Sequence, residues 1–205
     1  MPRVICVLRG GGEYGPEHVA RLRDQVARFC GLPFVALSDE PVPGVTVFPL
    51  VHNWPGWWAK MELFRPGLAG GLLFFDLDTS IVGDLGDMAA RRRLTIMRDV
   101  YRPAGLQSSV MFLPEADREA IWTRWMDDPE RWMRTYQRGG DQAFLEDCGA
   151  VWSTWQDAIP GQVVSYKVHV RKAMRPGREF GNGSVPAGAR VVAFHGKPRP
   201  WEVGW

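Results

Sequence analysis

"LLFFDLDTSIVGDL", residues 72–85, runs four apolar side chains directly into two aspartates one residue apart. An uninterrupted apolar run reads as a buried strand, here 72–76, of the kind found in parallel sheets. A bare carboxylate at the end of such a run is expensive unless something pairs with it. Side chains alternate along a strand, so Asp76 and Asp78 are expected on one side and Leu77 on the other. Two carboxylates that close repel, and either a proton or a cation between them relieves the conflict. A hard divalent ion with oxygen ligands would do so. Asp84 and Asp87 follow as loop acids.

Working outward, strand and helix patterns alternate. Residues 3–9, "RVICVLR", are apolar and β-branched and predict a strand. A glycine turn, "GGGEYG", follows, and Pro16 suits the first position of a helix whose apolar face is Val19, Leu22, Val26 and Phe29. Residues 34–37 and 45–48 predict two further strands, and "GWWAKMELF", residues 56–64, a helix stopped by Pro66 and Gly67. Beyond the opening stretch, residues 94–97 and 109–113 predict strands and 115–126 a helix. Asp128 and Pro129 start the next helix, and residues 141–148 form a short one with Asp141 at its start. Residues 163–166 and 190–196 predict the last strands. This alternation predicts an α/β fold with a mainly parallel central sheet flanked by helices, organised as one domain over residues 1–205.

The chain has 205 residues, enough for a sizeable core, with 45% hydrophobic and 23% charged residues and a net charge of +2. That balance excludes a general nucleic-acid binder. The N-terminus lacks the pattern of a secretion signal and no stretch is long enough to span a bilayer. Cys6, Cys30 and Cys148 are odd in number and form no CxxC pair, which predicts reduced thiols and a cytoplasmic protein. Of the ten tryptophans, Trp54, Trp57 and Trp58 precede Lys60, and Trp122, Trp125 and Trp132 recur near helical spacing; all are expected to pack in the core. Arg91, Arg92 and Arg93 read as a solvated turn.

Three readings fit the aspartate pair. It can hold a metal that bridges the diphosphate of a sugar nucleotide. It can belong to a haloacid-dehalogenase-type phosphatase, because "DLDTS" fits DxDxT with Asp76 as nucleophile and Asp78 as acid/base. Or it can cap a turn, in a protein with a structural or binding role. The carboxyl edge of an open α/β sheet is where ligands bind, which favours the first two. Two other features lie at strand ends. Gly10, Gly12 and Gly15 follow the first strand in a G-x-G-x-x-G pattern, with Asp39 after the next, the outline of a dinucleotide unit. "FHGKPRPW" places His195, Gly196 and Lys197 after the last strand. There a neutral imidazole can ligate a metal, glycine admits close approach, and lysine suits phosphate. Two carboxylates and an imidazole suit Mn(II), with Mg(II) as the alternative.

Taken in order, "FFDLDTSIVGDL", "GGDQAFL" and "HGKPRPW" resemble the signature of GT-A-fold glycosyltransferases of family 8, the glycogenin and bacterial galactosyltransferase type. "WWAKMELF" resembles that family's helix ahead of the DxD, and "LQSSVMFL" its Asn-Ser-Gly strand. The resemblance covers roughly residues 56–201 and implies a nucleotide-diphospho-sugar transferase, usually of UDP-sugars and usually retaining. It implies that Asp76, Asp78 and His195 bind the metal and that Gly196 and Lys197 contact the diphosphate. Lys60 would lie near the nucleotide, Asp141 and Gln142 at the donor sugar and reacting centre, and Ser108 and Ser109 in the pocket wall. The acceptor, a saccharide or another molecule, is not specified.

The chain departs from that signature in three places. Gln107-Ser108-Ser109 stands for Asn-Ser-Gly. Glu146 and Asp147 stand where an asparagine is common, and His195, Gly196 and Lys197 are adjacent rather than spaced. The phosphatase reading leaves the last two motifs without a role; it wants its DxDxT near the chain start and a later acidic pair after a strand, whereas Asp127-Asp128 follows a helical pattern. A binding protein that holds a nucleotide sugar without transfer is the third alternative. No strong general base is evident. In a retaining front-face transfer the leaving phosphate can accept the proton; in an inverting one Asp141 is the candidate base.

Overall fold

The computed structural model describes residues 1–172 and 181–205. A seven-stranded sheet forms its centre, built from β1 (Arg3–Leu8), β2 (Phe34–Ser38), β3 (Thr46–Pro49), β4 (Leu72–Phe75), β6 (Thr95–Arg98), β7 (Leu106–Leu113) and β8 (Ser153–Thr154). The order is β3-β2-β1-β4-β7-β6-β8. Only β7 runs against the rest, pairing antiparallel with β4 and β6, so the sheet is mainly parallel, as the alternating pattern predicts. A second, three-stranded sheet of β5 (Thr79–Ile81), β10 (Val191–Ala193) and β9 (Val163–Ser165) was not foreseen.

The pleat sorts the apolar run onto two cores. Val4, Cys6, Leu8, Leu73 and Phe75 face α1 (Pro16–Phe29), whose Val19, Leu22 and Val26 cover them, and Met88 of the short helix α2 (Gly86–Ala89) joins the same core. Ile5, Leu72, Phe74 and Met111 face the other way. There they meet the helix at Gly56–Phe64, together with α3 (Glu115–Met126), α4 (Pro129–Thr135) and α5 (Gly140–Asp147). Strands buried on both faces explain why the run carries no polar residue until it ends.

Trp54, Trp58, Trp125 and Trp132 lie in this second core as expected, but Trp57 does not: it is 54% exposed. The segment Gly56–Phe64 is also a 3-10 helix rather than an α-helix. Its Glu62 is fully buried, a charge that the pattern did not reveal as structural. The carboxylate accepts the Val51 N–H at 2.8 Å, the His52 N–H at 2.7 Å and an Arg65 N–H at 3.0 Å.

Two strand ends differ from expectation in ways that matter for the site. β4 stops at Phe75, so Asp76 and Asp78 lie beyond it in a tight turn closed by the Thr79 N–H donating to the Asp76 carbonyl at 3.0 Å. Strand alternation therefore does not set their directions. β5 starts straight after that turn and pairs antiparallel with β10, Ala193 opposite Thr79. β9 pairs parallel with β10, Ser165 opposite Ala193. This register brings residues 194–196 to Asp78, more than a hundred positions earlier in the chain.

Candidate active site

A cavity of about 650 Å³ opens at the carboxyl edge of β1 and β4. The turn after β4 supplies Asp76 and Asp78, and β7 supplies Ser108 and Ser109. The start of α5 supplies Asp141 and Gln142, the 3-10 helix Trp57 and Lys60, and the segment after β10 His195, Gly196 and Arg199. Of the residues expected at the site, all but Lys197 line this one space. Lys197 is 65% exposed and points instead to Glu13 at 3.1 Å and Glu202 at 2.5 Å. Arg199, two positions on, turns inward with only 13% of its side chain exposed and pairs with Asp78 and with Glu13. The reason is local: His195 (φ +38) and Gly196 (φ +99) both hold left-handed conformations and reverse the chain after β10.

Two clusters organise the charges. In the first, Lys60 Nζ lies 2.9 Å from Asp141 Oδ2, 3.4 Å from Asp76 Oδ1 and 2.9 Å from the Ser108 hydroxyl, to which it donates. The Asp141 side chain is only 6% exposed, and this ion pair is what offsets its burial. Burial alone would depress the Lys60 ammonium; Asp141 and Asp76 outweigh it and hold it above its ordinary value. Burial also pushes the Asp76 carboxyl up to about 6, against the pull of Lys60. The backbone fixes Asp76 as well, its N–H donating to the Ser109 carbonyl at 2.8 Å.

In the second cluster, Asp78 is buried and its Oδ2 accepts the Gly196 N–H at 3.1 Å beside the Arg199 guanidinium. Arg199, with Lys197, holds Glu13 down at about 2. His195 Nε2 shares a 2.6 Å hydrogen bond with the Ser165 hydroxyl. Burial, with the Lys167 ammonium close by, lowers its imidazole to about 4, so the ring is neutral near pH 7. Among the described residues no three metal-capable side chains converge on one point; Arg199 lies on Asp78 and the Ser165 hydroxyl on His195. Two carboxylates and a neutral imidazole around one cavity are side-chain types that could hold a divalent ion.

The departures noted in the sequence acquire physical roles. Glu146 accepts two N–H groups of Arg102, at 2.9 and 2.5 Å, and the Leu106 N–H at 2.6 Å, tying α5 to the start of β7. Asp147 accepts the Tyr136 hydroxyl. Neither lines the cavity. Gln107 accepts the Ser109 N–H at 3.1 Å and so braces the cavity wall. The glycine loop after β1 contributes Gly12, Glu13 and Tyr14 to the cavity, while Asp39 is occupied by Arg9 and by the Gly10 N–H at 2.7 Å. Asp128, which the phosphatase reading requires near Asp76, instead caps α4 by accepting the Arg131 N–H at 2.9 Å.

The site lies within a fold shared with solved glycosyltransferases. An active-site mutant of LgtC superposes with a TM-score of 0.65 at 12% identity, over 98% of this chain and 89% of that one. The chain has the GT-A glycosyltransferase fold. Galactosyltransferase LgtC in complex with donor and acceptor sugar analogs gives 0.63 at 12% identity, over 98% of this chain and 89% of that one. Mouse xyloside xylosyltransferase 1 gives 0.59 at 11%, over 95% and 98%. GlyE of Streptococcus pneumoniae TIGR4 gives 0.63 at 13%, although this chain spans only 57% of it. No protein-family profile matches the sequence, and no curated protein is significantly similar to it.

Proposed function

We propose that this chain transfers a sugar from a nucleoside-diphosphate sugar, a UDP-sugar, to an acceptor hydroxyl, with a divalent metal and with retention of anomeric configuration. The observation that carries the reading is the meeting of Asp76 and Asp78, Lys60 and Asp141, and Gly196 and Arg199 around one cavity in a glycosyltransferase fold. Asp76, Asp78 and His195 would hold the ion, with Mn(II) matching their mixed oxygen and nitrogen donors. Such an ion supplies charge neutralisation to a departing diphosphate.

The chain's own groups have distinct tasks. Arg199 presents a guanidinium fork, which suits phosphate oxygens better than a point charge does. The Gly196 position lets the backbone approach the same group. Asp141, which lines the cavity, accepts a hydroxyl of the donor sugar, and the Gln142 amide lies beside it. Lys60 fixes Asp76 and Asp141 relative to one another. Among the described residues each acid lining the cavity is paired with a cation: Glu13 and Asp78 with Arg199, Asp76 and Asp141 with Lys60. None of these is a free base. The bond from the anomeric carbon to phosphate breaks, the bond to the acceptor oxygen forms on the same face, and the acceptor proton passes to the leaving phosphate oxygen.

The test is release of UDP from a panel of UDP-sugars in the presence of Mn(II). The reading expects turnover of at least one donor and a loss of at least about 100-fold in Asp78→Asn, the order expected when a group stabilising the leaving charge is removed. Undiminished turnover in that variant would contradict it. Tight donor binding with neither hydrolysis nor transfer would favour the binding-protein alternative.

A further inference from the structure

Trp57 is the one tryptophan of its segment that turns away from the core. Trp54 and Trp58, on either side, are 8% and 6% exposed, against 54% for Trp57. A single exposed aromatic needs no explanation by itself, but this one lines the cavity. In a 3-10 helix, side chains three apart eclipse one another, so Trp57 stands in line with Lys60, whose ammonium reaches Asp141. The indole lies over Gly140, the residue before Asp141. A Cβ on Gly140 would come within 2.7 Å of the indole Nε1. Gly140 (φ +64) and Gly56 (φ +54) both adopt left-handed conformations that a side chain would strain. The missing side chain at Gly140 thus makes room for an indole that is only half buried.

Arg138 lines the cavity in the turn just ahead of Gly139 and Gly140. Its guanidinium is exposed, and it makes no ion pair among the described residues. Among the described residues the other cations lining the cavity, Arg9, Lys60 and Arg199, are each matched to a carboxylate.

We infer that Trp57 is the platform on which the acceptor lies, that Arg138 donates to its ring substituents, and that the acceptor is therefore a saccharide. The inference rests on the proposed function, which gives Asp141 to the donor sugar; the surface next to Asp141 is then where the second substrate meets it. The π-face of an indole is electron-rich, and the C–H face of a pyranose presents weakly positive hydrogens with hydroxyls at its edge. An aromatic floor with a guanidinium beside it matches that pattern and is a poor match for a bare acyl chain.

The test is ligand-observed NMR with a panel of methyl hexosides and disaccharide glycosides added to the protein with UDP and the diamagnetic ion Mg(II). At least one glycoside should bind, with saturation concentrated on the C–H protons of one ring face. Trp57→Ala should weaken that binding at least about 10-fold and Trp57→Phe less than about threefold, as expected for loss or retention of an aromatic contact. Arg138→Ala provides a second variant that leaves the platform intact and should weaken binding several-fold. Glycoside binding unchanged by Trp57→Ala, or no glycoside bound by protein that binds UDP, would overturn the inference. Failure to bind UDP would instead sink the donor assignment, so the two failures are distinguishable.

Discussion

Lys60 Nζ sits 2.9 Å from Asp141 Oδ2, joining the 3-10 helix to the first turn of α5 at the edge of the cavity. The same ammonium also faces Asp76. Removing it would leave two carboxylates without their cation. Lys60→Met should destabilise the fold by about 3 kcal/mol, the usual cost of breaking a buried pair from one side. Adding Asp141→Asn should recover part of the loss, because one uncompensated charge disappears. Denaturant unfolding of the two single variants and the double variant checks this; additive losses would show that the pair is not coupled.

Arg199 and Lys197 should separate cleanly in donor binding. Arg199 faces the cavity and Lys197 the solvent. Arg199→Ala should weaken UDP binding about 10- to 100-fold, the range for a charge-assisted hydrogen bond, and Lys197→Ala should change it less than about threefold. Calorimetric titration with UDP in Mn(II) buffer measures both, and a larger effect at Lys197 would reverse the assignment.

Glu62 predicts a purely structural effect. Its carboxylate accepts from the Val51 and His52 backbones and from Arg65, with none of its surface exposed. Glu62→Gln would turn an N–H₂ group toward one of these donors and should cost about 2 kcal/mol of stability. Chemical denaturation gives the cost. UDP affinity of the folded variant should stay near the parent value, since Glu62 does not line the cavity.

Gly140→Ala combines two penalties, a side chain at φ +64 and a clash with the Trp57 indole. It should destabilise by about 1–3 kcal/mol. In a Trp57→Ala background the clash vanishes and the dihedral strain remains, so the cost should fall without disappearing. A double-mutant cycle by thermal unfolding resolves the two parts.

The fold was legible where burial is periodic. The strands around Val4 to Leu8 and Leu72 to Phe75, the face of α1 and the start of α4 at Asp128 all follow from local pattern, because their neighbours need only be apolar. The cavity lining was legible where chemistry interrupts that pattern, at Asp76, Asp78 and His195, while Asp141 came from the resemblance of "GGDQAFL". What escaped depends on direction rather than type. "HGKPRPW" contains two cations, and which one faces inward is decided by the reversal at His195 and Gly196. "WPGWWAK" contains three tryptophans, and which is exposed depends on the 3-10 winding after Gly56. Glu62 looks like any surface acid in the sequence; its role comes from two backbone N–H groups at residues 51 and 52 that lack other partners. The turn after β4 was also hidden, since it is closed by one backbone hydrogen bond and then locked by pairing with β10, far along the chain.

The central claim is that one cavity holds the diphosphate between the aspartate pair and the cations after β10. A crystal structure with UDP and Mn(II) tests it most directly. The account predicts the diphosphate beside Asp76 and Asp78, the Arg199 guanidinium released from Asp78 onto a phosphate oxygen, and His195 turned from Ser165 toward the ion. UDP bound elsewhere, or bound in this cavity with Arg199 still on Asp78 and no metal density beside the carboxylates, would contradict it.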